Sequence, residues 1–127
     1  MDKDELFRLV KRGDAEALRA ALEGGADPRA RDRFGVSLLY RAAARGDEAS
    51  VGLLLERGAE IDRSSDAGNT PLMVAAARGH LAVIERLIAG GAAPGHRNKW
   101  GFDAAKWADW APNGDEVKAR LYAAAKA

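Results

Sequence analysis

The stretch Gly68-Asn69-Thr70-Pro71-Leu72-Met73-Val74-Ala75-Ala76-Ala77-Arg78-Gly79-His80 decides the fold, because its residue types follow the steps of building one short helix. Thr70 accepts hydrogen bonds from the free amides at a helix start. Pro71 comes next, where a missing amide costs nothing and the fixed φ suits helix entry. The apolar run then predicts a helix closed by Gly79, where a left-handed residue is wanted. Upstream, Ser37-Leu38-Leu39-Tyr40-Arg41-Ala42-Ala43-Ala44-Arg45-Gly46 aligns with Thr70 to Gly79 without a gap. Two glycine series, Gly35/Gly68/Gly101 and Gly13/Gly46/Gly79, share the spacing of 33 residues. The chain is a repeat.

The same register runs through four copies. Leu18, Val51, Ile84 and Val117 share one phase, and Leu22, Leu55, Ile88 and Leu121 another. Asp4, Ser37, Thr70 and Asp103 occupy the phase that caps each copy's first helix. Asp14, Asp47, His80 and Asn113 follow the closing glycines and are placed to cap a second helix. Its apolar positions at i and i+4 are the Val51/Leu55 and Ile84/Ile88 pairs. Gly24-Gly25, Gly58 and Gly90-Gly91 end that second helix, and turn residues such as Asp66-Ala67-Gly68-Asn69 lead to the next cap. Alanines at 42, 43, 75 and 76 allow close helix approach. A unit of this length cannot bury its apolar face alone, so the copies must stack.

The run from Gly68 to His80, with Gly91-Ala92 after it, resembles the ankyrin repeat, and the likeness covers essentially the whole chain. It implies an all-α fold: an ankyrin-repeat solenoid of helix-turn-helix units joined by β-hairpin-like loops. The expected partition of this single domain, 1–127, is 1–30 and 97–127 as terminal repeats, with 31–63 and 64–96 internal. Met73 and Tyr40 stand where the family usually has a histidine, so its histidine-centred bonding does not carry over. Leu38 and Ala104 replace the proline kept at 71. The last copy has Pro112-Asn113 where Gly-His would sit.

Composition narrows the function. Of 127 residues, 47% are hydrophobic and 31% charged, which fits a globular protein. No apolar run approaches the roughly 20 residues of a bilayer span, and the start Met1-Asp2-Lys3-Asp4-Glu5 is unlike a signal peptide. The expectation is a cytoplasmic protein without a membrane partner, and the richness in Ala, Arg and Gly points to a bacterial gene. Cysteine is absent, which excludes disulfides, thiol nucleophiles and thiolate ligands. The two histidines, His80 and His96, form no catalytic dyad or zinc site, His80 being in a capping phase. Asp103, Asp109, Asp115 and Glu116 lack a calcium-loop pattern. Gly24-Gly25 and Gly90-Gly91 lack the lysine and Ser/Thr of a phosphate loop. No enzyme activity, cofactor or metal is expected.

The resemblance implies binding of another protein through the hairpin tips and the concave inner face of the first helices. Matching the family's variable hairpin positions gives Arg33, Phe34 and Val36, then Asp66 and Asn69, then Lys99, Trp100 and Phe102. The first helices add Tyr40, Arg45, Arg78 and Trp110. Lys11, Arg12, Arg31 and Arg97 border this strip, so its charge is positive while Glu16, Glu23, Glu48, Glu56 and Glu85 fall on second helices. An acidic partner surface follows from complementarity. Trp107 is placed to fill the open end of the core; Trp100, Trp110 and Tyr40 serve either binding or local packing. Binding of nucleic acid through the basic strip is the competing reading. It is opposed by a net charge of +1, from 20 basic and 19 acidic residues. The chain by itself is expected to be monomeric.

Overall fold

The computed structural model describes residues 2–126. Met1 and Ala127, the outermost positions of the two terminal repeats read from the sequence, lie outside the described residues. The helices come in successive pairs: α1 (Lys3–Lys11) with α2 (Ala15–Glu23), α3 (Leu38–Arg45) with α4 (Glu48–Glu56), α5 (Pro71–Arg78) with α6 (Leu81–Ala89), and α7 (Ala104–Trp107) with α8 (Gly114–Lys126). Among the described residues, the only pairing of extended backbone outside the helices is an isolated antiparallel bridge between Arg31 and Ser37. The molecule is all-α.

Caps place these helices. Ser37, Thr70 and Asp103 accept from the amides of Tyr40, Met73 and Lys106, each three residues on. Met73 also receives the Thr70 amide on its sulfur at 3.4 Å, closing a reciprocal cap where the family would place a histidine. Two capping expectations need correction. Asp4 lies inside α1, whose cap is Asp2, accepting from Glu5. His80 stands at the cap position just before α6 but makes no capping bond; its ring turns back to the Ala44 carbonyl at 3.1 Å. Asp14 and Asp47 do cap α2 and α4.

The first helices α1, α3, α5 and α7 pack in one row, with α2, α4 and α6 in a second layer behind them. Between the layers runs one continuous core from Leu6 to Leu121, built on residues such as Leu18, Leu39, Leu54, Leu72 and Leu87. Ala42, Ala43, Ala75 and Ala76 are fully buried where α3 meets α5. The pairs Val51/Leu55 and Ile84/Ile88 are core only at their first members. Leu55 and Ile88 are half-buried at the core's margin, while Leu54 and Leu87 are fully enclosed. The final first-layer helix is one α turn that tightens into a 3-10 turn over Ala108–Trp110. Pro112 fixes where it ends, since the residue before a proline is disfavoured in helical backbone and Ala111 is extended.

Successive pairs are tied by the same device. Arg45 donates to the Lys11 carbonyl (2.9 Å), the His80 ring meets the Ala44 carbonyl, and the Asn113 side-chain amide donates to the Gly79 carbonyl (3.1 Å). Gly46 must be glycine twice over: its φ is +77°, and a Cβ there would lie 2.7 Å from the His80 ring. On the outer layer, Arg57 reaches Glu23 at 4.0 Å, Arg86 reaches Glu48 at 3.3 Å, and Arg120 contacts Glu85. Each such exposed pair contributes about 0–1 kcal/mol, but together they neutralise these three arginines.

Candidate functional site

Three hairpin loops project beside the first helices. Each is closed by an identical backbone bond: Asp32 to the Val36 carbonyl (2.9 Å), Ser65 to Asn69 (2.9 Å) and Asn98 to Phe102 (3.0 Å). Side chains at the same phase brace the loops from within. The Asp32 carboxylate accepts from the Phe34 and Val36 amides at 2.9 and 3.0 Å, and the Asn98 carbonyl accepts from Trp100 and Phe102 at 3.0 Å each. Ser65 does so once, from Asn69 at 3.3 Å. These bracing residues were not among the sequence-derived candidates, although acceptors recurring three residues before each hairpin glycine mark them. The loops are also stitched together, Asp66 donating to the Phe34 carbonyl (3.3 Å) and Lys99 to that of Ala67 (2.9 Å). Gly68, at φ +84°, permits this, because a Cβ would sit 3.1 Å from the Asn98 main chain.

Of the depressions bordered by the tips and the first helices, two are lined by aromatic side chains, and these two are separate. The one toward the C-terminal end has a volume of about 520 Å³. Tyr40, Val74 and Ala77 form its helical wall, Trp100 and Phe102 rise from the last hairpin, and Trp107 and Trp110 close it. Arg78 stands at its edge. Trp100 and Trp110 are 64% and 62% exposed, which is unusual for the largest apolar side chains unless something covers them. Trp107 packs edge-to-face on Trp110 with centroids 5.8 Å apart. It is half-buried against the core and also lines this groove, with its indole nitrogen buried and without a hydrogen-bond partner. Burial pushes the Tyr40 hydroxyl above its usual range, against the pull of Arg41 and Arg78.

The second groove lies toward the N-terminal end, between α1 and the first hairpin. Lys3, Arg8 and Lys11 line it from α1, facing Arg33 and Phe34. Arg33 stacks over the Phe34 ring, 4.9 Å from its centroid. Asp4 and Asp32 are its acids. Asp32 is bonded to Arg41 at 3.0 Å.

Of the residues expected from the sequence, Tyr40, Asn69, Arg78, Trp100, Phe102 and Trp110 therefore meet in one groove, and Arg33 and Phe34 lie in the other. Four have internal tasks. Arg45 is exposed but spends a nitrogen on the Lys11 carbonyl. Asn69 accepts from Asn98 at 3.0 Å. Val36 is half-buried and closes the first hairpin; Asp66 packs its carboxylate against Gly35. Lys99 is exposed at the last tip. Asp103 caps α7, while Asp109 binds Lys106 and Lys118. Among the described residues, no group of three or more His, Asp or Glu is gathered to hold a metal ion, and no helix is long and apolar enough to cross a membrane.

Comparison with known proteins agrees with this architecture. A family model described as ankyrin repeats, in three copies, matches residues 6–98, which leaves the aromatic last pair of helices beyond the match. Comparison with curated proteins finds no match. Members of that family are generally protein-protein interaction modules and typically non-catalytic. With paired helices, left-handed glycine closures and stitched hairpins throughout the matched region, the chain belongs to the ankyrin-repeat family.

Proposed function

We propose that this chain is a non-catalytic module that binds a protein partner with an acidic surface through its concave face and hairpin tips. It acts as an inhibitor, immunity protein or adaptor in the bacterial cytoplasm and is monomeric until bound. The observation that carries this reading is the exposed cluster of Trp100, Phe102 and Trp110 beside Arg78, on a surface held rigid by stitched loops. Tryptophan and arginine dominate interface hot spots, and a surface already ordered loses little entropy on binding. Arg33, Phe34, Tyr40, Arg45 and Lys99 extend the contact area along the row.

Purification of the native protein from its host, followed by mass spectrometry of co-eluting proteins, tests the reading. Trp110→Ala or Arg78→Glu should weaken the recovered complex by at least about thirtyfold, the equivalent of about 2 kcal/mol, with helical circular dichroism unchanged. Arg45→Glu is a poorer probe because it also removes the bond to Lys11. Retention of the partner by both Trp110→Ala and Arg78→Glu would exclude this face.

A further inference from the structure

Three arginines of the outer layer and four cations of the inner face differ in how they are used. On the outer layer Arg57, Arg86 and Arg120 each meet a glutamate of the preceding pair. On the inner face, among the described residues, Lys3, Arg8, Lys11 and Arg33 have no carboxylate within ion-pair distance, although they converge on one groove. The only other acid lining that groove besides the Arg41-bound Asp32 is Asp4. Its counterpart at the other end is apolar and aromatic, with Arg78 as its single cation. The inner face thus has two chemically unlike ends.

Resting on the protein-binding reading above, we infer that the inner face receives one stretch of a partner's polypeptide, with an aromatic or aliphatic anchor between Trp100 and Trp110 and acidic residues over Lys3, Arg8, Lys11 and Arg33. Geometry sets the spacing. The cationic groove lies between α1 and α3, and the aromatic one is centred where α5 meets α7, two helix spacings further along. At 8–10 Å per spacing that is about 16–20 Å, which a fully extended chain covers in no fewer than about five residues. Anchor and acids must therefore be separated by at least that many residues. A single-stranded nucleic acid fits less well, because its phosphates recur at every nucleotide whereas four cations here share one groove and Arg78 alone lines the other.

The test selects a displayed random 16-residue peptide library on the immobilised full chain. Enriched peptides should pair an aromatic or large aliphatic residue with two or more Asp/Glu at least about five positions away. The double variant Arg8→Glu, Arg33→Glu should lose these peptides by at least about tenfold and enrich lysine and arginine instead, while Trp110→Ala should abolish the apolar preference. Circular dichroism checks that both variants fold. Enrichment of apolar residues without acids, of acids adjacent to the anchor only, or of nothing at all overturns the inference. So does tighter binding of a 16-nucleotide oligothymidylate than of any selected peptide. Peptides lost on Trp110→Ala but indifferent to Arg8→Glu, Arg33→Glu would sink the two-ended match and leave the binding face standing. Peptides, and the cellular partner, held equally by every variant would sink both.

Discussion

Asn98 does the work of several residues in the last hairpin. Its carbonyl takes the Trp100 and Phe102 amides, and its amino group reaches Asn69 in the hairpin before. Asn98→Ala would strand these partners and should cost about 1–3 kcal/mol in urea denaturation, with Asn98→Asp milder because it keeps the two accepted bonds. Asp32 plays the matching part in the first hairpin and carries a charge. Burial raises its pKa, but the Arg41 guanidinium and the Val36 and Phe34 amides outweigh that and hold it below the ordinary carboxylate range. Hydrogen bonds from Lys118 and Lys106 lower Asp109 likewise. Both acids bind protons less readily in the folded chain than in the unfolded one. Stability from them is therefore complete above the usual carboxylate range and falls away from about pH 5 toward pH 2. Denaturation midpoints recorded across that window should show the decline, and Asp32→Asn should flatten it. The turn chemistry was legible in principle, since Asp32, Ser65 and Asn98 share a phase, but residue type alone does not separate an acceptor that turns inward to brace a loop from one exposed at its tip. Arg45 was not legible. Its acceptor is a main-chain carbonyl 34 residues earlier, and main chain leaves no signature in residue type.

At the scale of the helix, periodicity located each element but not the depth of each side. The i, i+4 rule singled out Ile88, yet the second helices turn Leu54 and Leu87 squarely into the core and leave Leu55 and Ile88 at its margin. Leu87→Ala should therefore cost about 2–5 kcal/mol, and Ile88→Ala less than half as much, by chemical denaturation. Leu72 on α5, equally enclosed, belongs with Leu87. Closing glycines were readable because a positive φ restricts residue choice so strongly; Gly13, Gly46 and Gly79 all adopt it, at +71°, +77° and +71°. The misplaced cap on α1 has an equally plain origin. Asp2 and Asp4 both carry a side chain that can take the free amides of a helix start, and residue type alone does not choose between them; the chain uses Asp2.

For the molecule as a whole, stacking means that the central helices have neighbours on both sides and the outer ones on a single side. Amide hydrogen exchange should be slowest in α3 to α6, and faster in α1 and the second half of α8. The aromatic end of the inner face was legible, since Trp100, Phe102, Trp107 and Trp110 all fall in the last copy, but the gathering of cations at the other end was hidden within one basic strip. Which cations remain unpaired depends on Arg41 finding Asp32 and on the outer glutamates lying one pair upstream of their arginines, and those are facts of stacking. The fastenings between successive pairs carry a last consequence. Arg45, His80 and Asn113 are unlike donors, yet each takes hold of main-chain oxygen beside a glycine that leaves it room. Every copy brings that oxygen with it whatever its side chains, so evolution can lengthen such a protein by duplicating a central unit in register and find the docking point for the newcomer already built.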